Sequence, residues 1–135
     1  RDAGGETLRE LPLRWFGAIG GSGWRQRPLR LAFCRNCTFR SGAQAGLEAA
    51  DIPWEMAVDT DSDRTIEATV SADLAITAML EGTGSRYFQQ IDGQGAEDDL
   101  PQLPAQFINI YTRQGVQSEP LTALADMLRD AIARW

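Results

Sequence analysis

The stretch of sequence that decides the fold is residues 28–80, PLRLAFCRNCTFRSGAQAGLEAADIPWEMAVDTDSDRTIEATVSADLAITAML. Short apolar runs in it alternate with segments whose apolar residues recur at helical spacing. The alternation predicts a strand, a helix, a strand, a helix and a strand, over residues 29–33, 38–50, 54–58, 64–72 and 74–80. Such a β-α-β-α-β order with short connections favours parallel pairing and right-handed crossovers. The sequence therefore predicts an α/β fold in three layers.

Further strands are predicted on both sides of this unit, over residues 11–19, 87–91 and 105–112. Residues 1–10 are polar and contain glycine, and we expect them to be irregular. The clearest helix follows Ser118, which is a good N-cap residue, with Pro120 in the first turn. One apolar stripe runs along that helix to the end of the chain, through Leu121, Leu124, Ala125, Leu128, Ile132 and Trp135.

Two breaks in the pattern suggest where the chain crosses between structural units. Glycine and serine cluster in residues 20–23, and residues 92–104 are acidic and punctuated by glycine and proline. We predict three segments from these breaks. Residues 1–21 are an opening segment and hinge strand of lobe one, residues 22–104 form lobe two, and residues 105–135 are the return strand and C-terminal helix of lobe one.

Charge and residue types narrow the chemistry. The chain of 135 residues has a net charge of −6 and contains neither lysine nor histidine. The overall negative charge disfavours nucleic-acid binding by this chain itself. Without histidine the commonest general base and the usual activator of serine or cysteine are missing, so we expect no enzymatic activity. No apolar run is long enough to cross a bilayer, and we expect a cytoplasmic protein with no membrane partner.

The turn from Cys34 to Thr38 is the sharpest local feature. It follows a predicted strand and opens a predicted helix, where free backbone N–H groups and the positive end of the helix dipole favour anions. Arg35 and Thr38 could add donors. The alternative is that Asn36 or Thr38 merely caps the helix while Arg35 points to solvent.

The same turn spells Cys-x-x-Cys, which raises a second class of function. Strand, Cys34-x-x-Cys37 and helix is the order in thioredoxin-like thiol-disulfide oxidoreductases, where the helix N-terminus lowers a thiol pKa. The proline that such proteins place beside the thiols, before a later strand, has no counterpart here. Two cysteines without histidine leave a zinc site half filled, so we predict no metal and no cofactor.

Alternating carboxylates in residues 59–63 resemble a calcium-binding loop. The glycine and the closing glutamate of such a loop are missing, so capping of the next helix by Ser62 or Asp63 is the better interpretation.

The whole pattern resembles the effector-binding domain of LysR-type transcription regulators. The resemblance rests on Cys37–Thr38–Phe39–Arg40, Ile52–Pro53–Trp54 and the run ADLAITA at residues 72–78. The segment from Leu103–Pro104 through Ile110–Tyr111 into the last helix resembles the end of that domain. The order and spacing of these pieces carry the resemblance over residues 11–135.

The resemblance implies a two-lobed fold like that of type 2 periplasmic binding proteins, with a small-molecule effector between the lobes. Arg35 and the start of the predicted helix indicate that this effector is anionic. It places six residues at the effector: Arg35, Asn36, Cys37, Thr38, Ser62 and Arg64. It also implies self-association through lobe one, and DNA binding only through a winged helix-turn-helix that this chain does not contain. The opening part of lobe one is expected to be missing as well. A substrate-binding component of a transporter shares this fold class and is a further alternative.

Overall fold

The order of the strands and helices follows the sequence prediction closely. The computed structural model describes residues 5–91, 100–111 and 118–134. The strands are β1 (Glu6–Leu11), β2 (Leu13–Ala18), β3 (Leu29–Cys34), β4 (Trp54–Thr60), β5 (Thr77–Leu80), β6 (Phe88–Gln90) and β7 (Gln106–Ile110). The helices are α1 (Arg40–Ala49), α2 (Asp63–Ser71) and α3 (Glu119–Ala133), with a short 3-10 turn at Gly23–Arg25. The predicted α/β class is confirmed, as a mixed fold with small sheets.

Contacts divide the chain into two units: Arg1–Leu11 with Ala105–Trp135, and Pro12–Pro104. The first division therefore falls at residue 11, whereas the sequence predicted a boundary at residue 21. Assignment of these units to lobes of a larger domain stays a prediction.

The unit Pro12–Pro104 is built on the predicted parallel pair. β3 pairs with β4 in parallel, from Leu29 opposite Trp54 to Cys34 opposite Thr60. β2 lies between β5 and β6 and is antiparallel to both. Leu31 of β3 also bridges in parallel to Ile76, just before β5, through backbone hydrogen bonds of 2.9 Å. The predicted parallel pairing is confirmed, and the antiparallel strands extend it.

The two helices of this unit bury opposite faces of β3. Leu29, Leu31 and Phe33 pack with Leu47 of α1 in one cluster. Ala32, which points the other way, packs with Ile66 and Val70 of α2. Alternation of side chains along a strand explains why consecutive residues of β3 serve two separate clusters. The unit thus has a helix on each side of its central strand.

Both helices end in the same capping motif, with an aspartate in the left-handed conformation. Asp51 has a φ of 57° and Asp73 a φ of 63°. The amide after each donates back five residues, Ile52 to Leu47 at 2.9 Å and Leu74 to Thr69 at 3.1 Å. Glycine is the usual residue at this position of the motif because it has no Cβ.

Asp73 also contacts the glycine-rich segment 20–23. Its carboxylate accepts hydrogen bonds from the amides of Ser22 and Gly23, at 3.0 and 2.8 Å. The amide of Gly20 donates to the side chain of Gln89 at 2.8 Å. These hydrogen bonds tie the segment to the unit Pro12–Pro104.

The unit of Arg1–Leu11 with Ala105–Trp135 contains one strand that the sequence did not predict. Residues 6–11 form β1 and pair antiparallel with β7, so the expectation of an irregular opening segment is wrong. Arg129 of α3 holds Glu6 of β1 through three hydrogen bonds of 2.9–3.1 Å. This contact lowers the pKa of the Glu6 carboxyl. β1 escaped prediction because its residues are mostly half-exposed and polar.

The predicted α3 is confirmed with its cap. The Ser118 hydroxyl accepts the amide of Leu121 at 3.3 Å, and Pro120 lies in the first turn. The apolar stripe of α3 is only partly buried. Ala125 is buried, whereas Leu124 and Leu128 remain exposed to solvent. Among the helices of the described ranges, none is long and apolar enough to span a membrane. The predicted hinge over residues 92–104 lies largely outside the described residues.

Candidate functional site

The candidate site lies where β3 and β4 end. Because the two strands are parallel, their carboxyl ends meet at one edge of the sheet. The amide of Arg35 donates to the carbonyl of Thr60 at 3.2 Å and ties the two ends together. The turn after β3 and the loop from β4 to α2, which the sequence singled out separately, therefore come together.

The turn after β3 is a structure of its own and not the first turn of α1. The amide of Cys37 donates to the carbonyl of Cys34, and that of Arg40 to Cys37, both at 3.2 Å. α1 begins only at Arg40, and its N-cap residue Phe39 provides no side-chain cap. The expected opening of the helix directly after the cysteines is wrong, and so is the alternative of a cap from Asn36 or Thr38.

Two amides of this turn are available to a ligand. Across residues 5–91, 100–111 and 118–134, the amides of Asn36 and Thr38 donate to no other group. Both residues are exposed. They supply N–H donors for an acceptor such as a carboxylate. Because the turn precedes α1, the helix dipole attracts an anion here less strongly than it would at the first turn of the helix.

Arg35 does not stand as an isolated positive charge. Its guanidinium lies 3.7 Å from Asp59 and 3.7 Å from Asp61. Arg40 reaches the same Asp59 at 3.2 Å. The Arg35 side chain is 61% exposed, and ion pairs of this kind are weak, so it can leave the aspartates for another anion. The aspartates nevertheless compete with any anionic ligand at this turn.

Ser62 and Arg64 occupy different roles at the start of α2. The Ser62 hydroxyl accepts the amide of Thr65 at 3.3 Å and caps the helix, as predicted for this residue. The hydroxyl accepts this one bond and still has its O–H to donate. Arg64 is exposed, and within the described part of the chain it has no hydrogen bond or ion pair. Ser62 can therefore offer an O–H and Arg64 a guanidinium to a ligand.

The two cysteines are free thiols, and Cys34 is held in its protonated form. Its Sγ donates to Oδ1 of Asp63 at 3.1 Å. That hydrogen bond, followed by burial, raises the pKa of the Cys34 thiol to about 11. A thioredoxin-like nucleophile requires the opposite shift. The geometry therefore counts against the oxidoreductase alternative.

A cavity of about 350 Å³ lies beside these residues, within the unit Pro12–Pro104. Of the six residues predicted to bind the effector, only Cys37 lines it. Its apolar wall consists of Phe33, Phe39, Ile66, Met79 and Phe88. Its polar groups include Cys34, Asp63, Glu67 and Thr77.

The cavity could not be predicted from the sequence because residues of β3, β5, β6 and α2 together form its wall. One signal was present: Thr77 interrupts the apolar run of residues 74–80 with a hydroxyl. A polar residue in a strand covered on both faces needs a partner. Among the described residues, no group of three or more His, Cys, Asp or Glu side chains could hold a metal ion.

Comparison with known proteins rests on structure alone. No protein-family model and no curated protein matches the chain. The regulatory domain of HypT from Salmonella typhimurium, with bromide bound, superposes with a TM-score of 0.71 at 13% identity, over 99% of this chain and 68% of that one. HinK, a LysR family regulator from Pseudomonas aeruginosa, gives 0.66 at 11% identity over 98% of this chain.

The fold is that of LysR-type regulatory domains. The effector-binding domain of QuiR in complex with shikimate matches as well, with a TM-score of 0.59 at 12% identity over 99% of this chain and 68% of that one. The predicted resemblance is thus confirmed at the level of the fold. The chain spans about half the length of HinK and 68% of the HypT domain, so the shared fold covers only part of each of those proteins.

Proposed function

We propose that the chain is the effector-sensing part of a LysR-type transcription regulator and has no enzymatic activity. A small anionic effector binds in a cleft between two lobes, and its binding shifts the oligomer between states. DNA is bound by a separate winged helix-turn-helix, self-association runs through lobe one, and the protein works in the cytoplasm.

One observation carries this proposal: the structural match extends over 98–99% of the chain to several LysR-type proteins. Two of the matching domains hold small molecules or ions, namely shikimate in QuiR and bromide in HypT. Bromide is an anion, and shikimate, as a carboxylic acid, is one at neutral pH. These ligands support an anionic effector for this chain.

The turn after β3 supplies the groups that such an effector needs. The amides of Asn36 and Thr38 donate to no group in the part of the chain that the structure describes, and Arg35 and Arg64 are exposed cations close to the same sheet edge. We propose that these four residues, with Cys37 and Ser62, form the wall of the cleft in the second lobe. In this arrangement the effector competes with Asp59 and Asp61 for Arg35.

The lobes proposed for the larger domain follow the sequence-based segments except at β2. Residues 22–104 belong to lobe two, and residues 105–135 belong to lobe one with the part of residues 1–21 that precedes β2. The break at residue 11 favours placing β2 with lobe two as well, because β2 pairs with β5 and β6.

Calorimetry with shikimate, bromide and inorganic phosphate tests the proposal on the 135-residue chain. We expect at least one of these anions to bind, and Arg35→Ala to weaken that binding several-fold because it removes a charge-assisted hydrogen bond. Arg30→Ala is the matched control, since Arg30 also carries an exposed ion pair, 3.9 Å from Glu55 on the neighbouring strand. No binding of any of the three, or equal losses in the two variants, would overturn the proposed site.

A further inference from the structure

The cavity beside the turn has the features of a ligand site in its own right. Its volume of about 350 Å³ lies within the range of small-molecule pockets. Aromatic rings of Phe33, Phe39 and Phe88 line much of it, together with Ile66 and Met79. An apolar wall with few polar groups is the usual composition of a site that binds an organic molecule.

Thr77 marks the place where the ligand's polar group would bind. The residue is 4% exposed and lines the cavity, and its hydroxyl forms no hydrogen bond with any residue in the described ranges. Other hydroxyls in the lining are satisfied: Thr83 donates to the carbonyl of Leu80 at 2.7 Å, and Ser85 accepts the amide of Tyr87 at 3.2 Å. The Thr77 hydroxyl is therefore left to bond a ligand in the cavity, as donor or as acceptor.

The charge of the lining distinguishes this cavity from the turn. Asp63 and Glu67 contribute carboxylates, and no arginine is among the lining residues that the structure describes. The raised pKa of Cys34 keeps its thiol uncharged at neutral pH, so it adds no further negative charge. Two carboxylates without a cation attract a positive ligand and repel an anion.

We propose that this cavity binds a small organic cation, an amine on an apolar body. The ammonium group contacts Glu67, Asp63 and the Thr77 hydroxyl, and the apolar body packs against the phenylalanines. Cations bind well over aromatic faces, which adds to the preference. The site goes beyond the proposed function, because it requires neither the assignment to a regulator nor an anion at the turn.

Three probes of similar shape and different charge test the proposal: 2-phenylethylamine, 2-phenylethanol and phenylacetate. Titration of the 135-residue chain, followed by calorimetry and amide NMR, is expected to show the amine binding at least about tenfold more tightly than phenylacetate. The shifted amide signals should include those of Cys34 and Thr77. The alcohol should fall between the other two probes.

Two variants locate the binding. Glu67→Gln should weaken the amine several-fold, while the matched control Glu48→Gln, an exposed glutamate on α1 outside the cavity, leaves it unchanged. Thr77→Val should weaken the amine and the alcohol and still fold, because the Thr77 hydroxyl bonds no other group among the described residues. Circular dichroism of each variant verifies its folding.

Several outcomes would overturn the cation site. They are phenylacetate binding as tightly as the amine, the amine failing to bind, and equal effects of Glu67→Gln and Glu48→Gln. Arg35→Ala separates this site from the proposed effector wall, because it should reduce anion binding and leave the amine unaffected. The two proposals can therefore fail independently.

Discussion

Removal of the Asp63 carboxylate should make the Cys34 thiol easier to ionise. We consider Asp63→Ala in a chain that carries Cys37→Ser, so that Cys34 is the only thiol. In the native chain the Cys34 Sγ donates to Asp63 at 3.1 Å, and this bond is the largest cause of a pKa raised from 9.0 to about 11. The variant lacks both that bond and the negative charge beside the sulfur. Its Cys34 pKa should fall towards 9.0.

The expected change in reactivity follows from these two pKa values. A complete return to 9.0 would raise the thiolate fraction at about pH 8 by roughly a hundredfold. A less basic thiolate is also a weaker nucleophile, which reduces the gain in rate to about tenfold. Burial and the charges of Cys37 and Asp61 also raise the pKa and are smaller causes. With burial and Asp61 retained, we expect an increase of about threefold to tenfold.

Alkylation by iodoacetamide over a pH series measures both the rate at which Cys34 reacts and the pH midpoint of its ionisation. Asp61→Ala in the same background is the control, because it removes a neighbouring carboxylate that contributes least to the shift. It should change the rate far less than Asp63→Ala. The reasoning is refuted if the two variants react alike, or if Asp63→Ala leaves the midpoint near 11.

The same pKa shift makes the stability of the chain depend on pH in the alkaline range. The folded thiol titrates near 11 and an unfolded one near 9.0, so folding favours the protonated form. The stabilisation is fully present below pH 9.0 and is lost as the pH rises towards about 11. Urea denaturation at increasing pH should show this loss in the native chain and a smaller one in Cys34→Ala.

Two further predictions concern the fold. Leu47→Ala should destabilise the unit Pro12–Pro104 by about 2–5 kcal/mol in urea denaturation because Leu47 is completely buried, whereas Leu124→Ala, at a residue 52% exposed, should cost less than about 0.5 kcal/mol. Asp51→Gly should leave the midpoint of thermal unfolding unchanged or raise it, since glycine suits a φ of 57°. Asp73→Gly should lower that midpoint, because its two hydrogen bonds to the Ser22 and Gly23 amides are lost. Equal effects of Leu47→Ala and Leu124→Ala, or of Asp51→Gly and Asp73→Gly, would contradict these explanations.

Much of the fold could be predicted because it depends on local patterns. The alternation of β3 and β4, the helical spacing of α1 and α2 and the Ser62 cap are all features of neighbouring residues. A strand repeats every two residues and a helix every 3.6, so buried faces appear directly in the order of residues. The order of these elements also carried the resemblance to LysR-type regulatory domains.

Other features depend on residues that are distant in sequence. β1 is a strand because β7 pairs with it, about a hundred residues away, and its own residues lack a strong apolar alternation. Arg35 looked like a free cation in the sequence, but parallel pairing of β3 and β4 places it beside Asp59 and Asp61. The helix predicted from Thr38 begins two residues later, at Arg40, and Phe39 is its N-cap.

The turn at Cys34 shows where the two kinds of information separate. The sequence by itself determined that a strand ends there, that two thiols and an arginine follow, and that no histidine could activate them. Only the tertiary structure decided that Asp63 holds the Cys34 thiol protonated and that Thr77 lines the cavity beside it. The physical reason is that a side chain's charge state and partners are set by whichever groups come within a few ångströms, and folding selects those groups from distant parts of the chain.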